Sequence, residues 1–177
     1  GSHREALVAK LDAYFDGGHH DMGNAPGFHI PYLYLYAGAP EKTQERVRDL
    51  LARHFAATPG GLPGNDDAGA TSAWYVFSAL GLYPIAPGCD VLLLGSPLFP
   101  CAEIFLEPNF YPGGSFVIEA PGASDENRYV QSAELNGAPL PRPWIRHADV
   151  VAGGCLVLTM GPAPSTWGSR PEDAPPS

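Results

Sequence analysis

Apolar residues recur at helical spacing in the first half of the chain and at strand spacing in the second half. The interval 4–15 carries Leu7, Leu11 and Phe15 on one face before a Gly-Gly stop signal. The run 30–37 opens with Pro31, which suits a first helical turn, although its alternating aromatic residues would also fit a strand. Helices are therefore predicted over residues 4–15, 30–37, 41–57 and 71–80.

From residue 83 onward the pattern changes to short apolar runs separated by Gly, Pro, Asn and Asp. Strands are predicted over residues 91–95, 102–107, 115–120, 127–135 and 155–160, with Asn136-Gly137 as a hairpin turn. Helices and strands in separate blocks indicate an α+β fold rather than alternating βαβ units.

The same change of pattern suggests how the chain is divided. Residues 4–82 are predicted to be helical and residues 83–165 to be β-rich. Residues 166–177, rich in Pro and Ser, are expected to form a flexible tail. Residues 1–3, Gly-Ser-His, resemble a cloning remnant rather than native sequence.

The helix predicted over residues 71–80 is apolar nearly all round, so we expect it to be buried on most sides. Large apolar surfaces are seldom left bare in water. Its cover would come from the β-rich part, from a complementary chain or from self-association.

Composition excludes two classes of partner. The formal net charge is −9 with only 10 Lys and Arg residues, which argues against a nucleic-acid partner. No apolar run approaches the roughly 20 residues that span a bilayer, which argues against a membrane protein.

The three cysteines, Cys89, Cys101 and Cys155, contain no CxxC pair. Two interpretations are consistent with them: a Cys89–Cys101 disulfide, or three small apolar residues buried in the core.

The glycine-rich loop 60–69 carries two adjacent carboxylates, Asp66 and Asp67. Adjacent carboxylates repel, so burying both would require a cation, hydrogen-bond donors or a raised pKa. The alternative is an exposed turn in which Asp67 or Thr71 caps the following helix. The apolar helix that follows favours a loop close to the core.

A second polar cluster lies at residues 19–29. His19 and His20 are neighbours and lack the i, i+4 spacing of a helical zinc pair, so a surface loop is the better interpretation for both. Asn24 and His29 flank the aromatic run and are better placed to line a pocket. Aromatic residues such as Trp74 could stack on sugars but are more often core.

Two long motifs make the chain resemble glycoside hydrolase family 92. One is Gly-Asn-x-Pro followed by His-Ile-Pro-Tyr-Leu-Tyr; the other is Gly-Leu-Pro-Gly-Asn-Asp-Asp leading into Ser-Ala-Trp-Tyr-Val-Phe-Ser-Ala-Leu-Gly. Further short matches keep the same order to about Trp167. The resemblance implies the C-terminal portion of the catalytic region of a calcium-dependent exo-α-mannosidase, secreted or periplasmic.

The resemblance implies a fold and a set of site residues. The helices would be part of an (α/α)6 toroid, followed by an antiparallel β-sheet or sandwich. The substrate would be a mannose-containing glycan, hydrolysed with inversion. By resemblance, Asp67 is the general base and Asp66 its supporting carboxylate, His29, Asn65 and Trp74 bind substrate, and Asn24 lies beside the calcium ion.

The chain departs from the family pattern at the metal side and at the acid. Ala25 stands where a Glu is usual, and Ala70 stands where a polar residue is usual. The family's general acid lies upstream of the matched region, so the site would be incomplete in this chain alone. The alternative is a truncated homologue without catalysis, acting as a carbohydrate-binding or protein-interaction domain.

Overall fold

The computed structural model describes residues 3–86 and 88–176. The helical half holds α1 (His3–Asp16), α2 (Pro40–His54) and α3 (Ala70–Leu80), with the run Ile30–Ala37 forming a 3-10 helix. That helix begins next to Pro31 and ends where Gly38 turns left-handed at φ 71°. All four predicted helices are therefore present. The end of α2 is the main difference, because the chain becomes extended at Phe55.

Within the described residues of the second half, eight strands form two sheets. They are β1 (Leu82–Pro84), β2 (Val91–Leu94), β3 (Cys101–Phe105), β4 (Ser115–Glu119), β5 (Tyr129–Leu135), β6 (Ala138–Pro139), β7 (Trp144–Arg146) and β8 (Gly154–Gly161). The strand orders are β1-β2-β7 and β3-β4-β8-β5-β6. Every pair is antiparallel except β4 with β8.

The five predicted strands and the Asn136-Gly137 hairpin are confirmed, and so is the α+β class. Asn136 and Gly137 both have positive φ, as a two-residue hairpin turn requires. The sequence pattern misses β1, β6, β7 and the one-turn helix α4 (His147–Val151). These elements are two to five residues long, too short for a period to be recognised.

Strand β2 joins the two halves because both of its faces are covered. Val91 and Leu93 belong to the core formed by the helices, whereas Leu92 and Leu94 belong to the core between the sheets. Side chains alternate between the faces of a strand, so one short strand serves both cores. The helical and β-rich parts are thus packed into one body around β2.

A buried polar contact adds to this junction. The side chain of Gln44 in α2 is 1% exposed, and its amide oxygen accepts a hydrogen bond from the Val130 N–H at 3.0 Å. Val130 lies where the pairing of β5 with β8 is irregular, so the glutamine replaces a missing strand partner. The contact holds the large sheet against α2.

Helix α3 is less buried than its composition predicts. Its buried side includes two polar residues: Ser78 shares a 2.8 Å hydrogen bond with the Tyr32 hydroxyl, and Thr71 donates to the Asn65 carbonyl at 2.9 Å. The opposite side leaves Ala73 exposed and Val76 55% exposed. Within this chain the helix is therefore covered only in part, and a complementary chain or self-association that covers Ala73 and Val76 stays a prediction.

The segment 166–176 differs from the flexible tail that its composition suggests. Trp167 is 9% exposed and donates its indole N–H to the Leu140 carbonyl at 2.7 Å. Asp173 is 4% exposed and accepts a hydrogen bond from Arg170 at 2.8 Å. A buried tryptophan and a buried, paired carboxylate anchor this end of the chain; Ser177 lies outside the described residues.

The described residues contain no disulfide. Cys89 and Cys101 are both free and exposed, and Cys155 is free and partly buried, so neither the bridge nor a fully buried set is found. Within the same residues, every helix is too short or too polar to cross a bilayer.

Candidate functional site

The two polar loops singled out in the sequence meet at a pair of glycines. A Cβ atom built on Gly64 would lie 2.5 Å from the Gly23 carbonyl oxygen and 2.8 Å from its Cα. Gly64 also has φ of +60°, a conformation that residues with side chains rarely adopt. The contact brings the loop of Asn24 against the loop of Asp66 and Asp67.

Asp66 is fixed by the start of α3. Its Oδ1 accepts the Ser72 N–H at 2.9 Å and the Ser72 hydroxyl at 2.7 Å. These hydrogen bonds, the hydroxyl first, lower the pKa of Asp66, because they favour the charged carboxylate. The carboxylate also satisfies one of the N–H groups that the first turn of a helix leaves free. The capping role considered for Asp67 or Thr71 therefore belongs to Asp66.

Asp67 begins a short left-handed run of backbone. The φ angles of Asp67, Ala68 and Gly69 are 51°, 58° and 100°. Left-handed backbone is unfavourable for alanine, so contacts with the surrounding residues must hold the loop in this conformation. The cost is roughly 1–3 kcal/mol per strained residue. Such strain concentrates at functional sites.

The carboxylate of Asp67 is exposed, and it has no hydrogen-bond or ion-pair partner among residues 3–86 and 88–176. Its neighbour Asp66 is exposed as well, so water screens the repulsion between the two charges. The cation or raised pKa that burial of both would demand is not needed here. One carboxylate is anchored and the other is free to act on a ligand.

Asn24 and His29 are both exposed on the first loop. The Asn24 carbonyl accepts the Gly27 N–H at 2.9 Å, which closes a tight turn, while its side chain makes no capping hydrogen bond. The His29 carbonyl likewise starts the following 3-10 helix through the Tyr32 N–H at 3.0 Å. Both side chains therefore remain available to a ligand.

Trp74 is a core residue and does not line a pocket. It is 2% exposed, and its indole N–H donates to the Phe28 carbonyl at 3.0 Å. Its ring stacks on Phe55 with centroids 5.7 Å apart. The expectation that Trp74 binds substrate is therefore wrong: its polar atom is used and its faces are covered. Its effect on the site is indirect, through the backbone of Phe28.

The paired histidines differ from each other. His19 is exposed, as a surface loop predicts. His20 is half-buried, and both of its ring nitrogens are sealed from solvent without a hydrogen-bond partner in the described part of the chain. Over that part there is also no group of three His, Cys, Asp or Glu residues that could hold a metal ion. The surface interpretation of His20 is wrong.

Three contributors to the site carried little signal in the sequence. In the sequence, Ser72 appears only as part of the motif that follows the acidic loop, and Gly23 and Gly64 only as members of loops. Each acts through one specific contact six or more residues away in sequence. The run from Asp66 to Ser72 could have been noted, because an acidic residue before a helix commonly binds its first-turn N–H groups.

Comparison with known proteins gives the family. The pattern of the glycosyl hydrolase family 92 catalytic domain matches residues 2–162. An uncharacterized secreted glycosidase of Arthroderma benhamiae is 36% identical over 176 residues, which cover 98% of this chain and 22% of that protein.

Solved structures agree with this assignment. A family GH92 α-mannosidase from Bacteroides thetaiotaomicron superposes with a TM-score of 0.91 at 31% identity, over 99% of this chain and 24% of that one. An inverting family GH92 mannosidase from the same species gives 0.87 at 33% identity, over 98% and 26%. The chain thus spans about a quarter of the length of these relatives. The match over residues 2–162 and the shared fold establish that the chain belongs to glycosyl hydrolase family 92.

Proposed function

We propose that this chain supplies the general-base side of an α-mannosidase active site that hydrolyses terminal α-mannosides with inversion. Asp67 is the base, Asp66 the supporting carboxylate, and Asn24, His29 and Asn65 border the sugar. Family membership supports the reaction class. One solved relative was determined in complex with mannoimidazole, which supports a mannose-like ligand.

The observation that carries the proposal is the contrast between the two carboxylates. Asp66 is tied to α3 through Ser72, whereas Asp67 is exposed, unpaired within the described residues and held in left-handed backbone. A general base needs a carboxylate that is free of other partners and held at a fixed position. Only Asp67 meets both conditions, so the roles of the two residues are not interchangeable.

The chemistry follows from inversion. One carboxylic acid protonates the leaving oxygen, while a carboxylate on the opposite face of the sugar removes a proton from the attacking water. Asp67 accepts that proton. Asp66 keeps its charge beside it, because the two hydrogen bonds from Ser72 hold it ionised, and a nearby negative charge stabilises an oxocarbenium-like transition state.

The acid is not assigned to any residue of this chain. The family pattern puts it upstream of the matched motifs. The base side is therefore proposed without its partner, and turnover requires the remainder of the catalytic domain.

Calcium is the cofactor implied by the family, and the residues fit it only in part. Calcium takes six to eight oxygen ligands. The Asn24 side chain offers one amide oxygen, while Ala25 stands where the family usually has a carboxylate. No three metal-binding side chains come together in the described ranges. These residues alone do not complete a calcium site, and no step above passes through the ion.

We further propose that the protein acts outside the cytoplasm. The support is its 36% identity to a relative described as secreted. Detection of the protein in the cytosolic fraction alone, after cell fractionation, would contradict this.

The test is the Asp67→Asn variant of the full natural polypeptide, assayed on an α-mannoside, with the first anomer released identified by NMR. We expect turnover to fall by at least about 1,000-fold while circular dichroism and thermal unfolding stay unchanged, because the amide cannot accept a proton. Inversion requires β-mannose as the first product. The matched control is Asp90→Asn, an exposed carboxylate in the β-rich part that pairs with Arg146.

Near-normal turnover in Asp67→Asn would overturn the role of Asp67 as the base. A wild-type protein that binds mannosides but never cleaves them would favour the carbohydrate-binding alternative. Release of α-mannose first would exclude inversion.

A further inference from the structure

The imidazole ring of His20 lies between the end of α1 and the loop that carries Asn24. Its centroid is 4.9 Å from that of Phe15 and 5.9 Å, edge to face, from that of Tyr14. Both ring nitrogens are buried and lack a partner among the described residues. Buried polar atoms without partners are rare, so packing rather than hydrogen bonding sets the position of this ring.

The ring also lies against the backbone of Gly27. A Cβ atom on Gly27 would be 3.6 Å from Cε1 and 3.8 Å from Nδ1 of His20. The Gly27 N–H donates to the Asn24 carbonyl at 2.9 Å. A displacement of the ring would therefore be passed through Gly27 to the turn of Asn24.

Charged groups from three elements surround His20. Arg46, Asp49, Arg53 and His54 of α2 line one cavity of about 250 Å³ together with His20. Asp21 in the loop acts on the charge of the His20 ring, and Asp16 at the end of α1 reaches this region through its ion pair with Arg46. Arg46 pairs with Asp16, and Asp49 pairs with Arg53 and with Arg128. The nearby carboxylates of Asp16 and Asp49 are thus already occupied by arginines.

Burial, and then the nearness of His54, lower the pKa of His20, with Asp21 acting in the opposite direction. The uncharged ring is therefore the form that fits this place. Acidification below the ordinary histidine value of about 6.5 favours states in which the ring is released to water.

We propose that His20 is a positioning residue for the candidate site: its ring, packed between Phe15 and Gly27, holds the turn that presents Asn24. The inference rests on the proposed function for the importance of that turn. The packing itself can be tested without turnover.

The experiment measures backbone amide hydrogen exchange at Gly27 in the full natural polypeptide, as protection factors corrected for intrinsic exchange. His20→Phe keeps a flat ring that cannot take a proton, His20→Ala removes the ring, and His19→Phe is the control at the exposed neighbour. In the wild type, protection at Gly27 should fall about tenfold from about pH 7.5 to about pH 5. In His20→Phe it should stay high at both values, and in His20→Ala it should be low at both. His19→Phe should follow the wild type.

An equal acid-induced loss in the wild type and in His20→Phe would overturn the inference, and so would full protection in His20→Ala. If His20→Ala does not fold, the comparison of the wild type with His20→Phe still decides. An active Asp67→Asn variant beside the expected exchange pattern would contradict the proposed function alone. An inactive Asp67→Asn variant beside normal exchange in His20→Ala would contradict the positioning role alone.

Discussion

Gly23 and Gly64 meet backbone to backbone, which leaves no room for a side chain on Gly64 and little room for one on Gly23. The Cβ positions of both fall within 3.1 Å of the other glycine's backbone. Because Asn24 follows one glycine and Asn65 the other, this contact sets the distance between the two halves of the candidate site.

Gly64→Ala should destabilise the protein and separate the loops. The added methyl meets the Gly23 carbonyl at 2.5 Å, and φ of +60° is unfavourable for alanine, so we expect a loss of at least about 1 kcal/mol in the free energy of unfolding. Urea unfolding measures it. Gly60→Ala is the matched control, since Gly60 has no atom within 4 Å of its Cβ position and no positive φ. Equal stability of the two variants would contradict the close contact.

Ser72→Ala should raise the pKa of Asp66 towards its ordinary value of 3.8. In the wild type the lowered pKa stabilises the fold above the unfolded-state value, and that contribution is lost as pH falls through the folded-state value. The Ser72→Ala protein should therefore lose less stability on acidification below about pH 4. Carboxyl-carbon NMR titration of Asp66 tests this. Ser72→Thr, which retains the hydroxyl, should titrate like the wild type.

Trp74→Phe should reduce the stability of the protein and leave its affinity for mannosides unchanged. It removes the hydrogen bond to the Phe28 carbonyl and leaves that buried acceptor unpaired, at about 1–3 kcal/mol. Val76→Ala, on the exposed side of the same helix, should change stability by less than about 0.5 kcal/mol. Thermal unfolding compares them. A Trp74→Phe protein of normal stability that binds mannosides weakly would restore the ligand-binding interpretation.

Gln44→Met should loosen the junction between α2 and the large sheet. The buried Val130 N–H would lose the Gln44 side-chain oxygen that accepts its hydrogen bond. A buried donor without a partner costs about 1–3 kcal/mol of stability. Glu45→Met places the same side chain at the exposed neighbouring position and should be nearly neutral. Chemical denaturation of the two variants gives the comparison, and an equal effect would show that the hydrogen bond contributes nothing.

The sequence pattern predicted elements well and contacts poorly. Helical and alternating periods located α2 and β4 because each has a continuous apolar face. The loop of Asp66 and Asp67 was found from its composition. The difference between the two carboxylates cannot be predicted in this way, because the hydrogen bonds from Ser72 and the left-handed backbone of Ala68 depend on how the loop folds.

Burial of individual aromatic and polar residues was equally hard to predict. The resemblance gives Trp74 a role in substrate binding, and the sequence places His20 on the surface. In the structure Trp74 is buried and donates to the Phe28 carbonyl, whereas His20 packs against Gly27. A hydrophobic period indicates which face turns inward but not what it meets there. Tertiary contacts determine which groups a buried face meets. Such contacts join residues far apart in sequence, as Trp74 and Phe28 are at 46 positions.

Strand β8 follows the other seven described strands along the chain, yet it lies in the middle of the five-stranded sheet, between β4 and β5. During synthesis, β3-β4 and β5-β6 can each form as an isolated pair, but no strand pairing joins the two pairs until residues 154–161 have left the ribosome. The large sheet therefore closes late, around its final strand. Until that moment β4 lacks its parallel partner and β5 lacks its longer antiparallel partner.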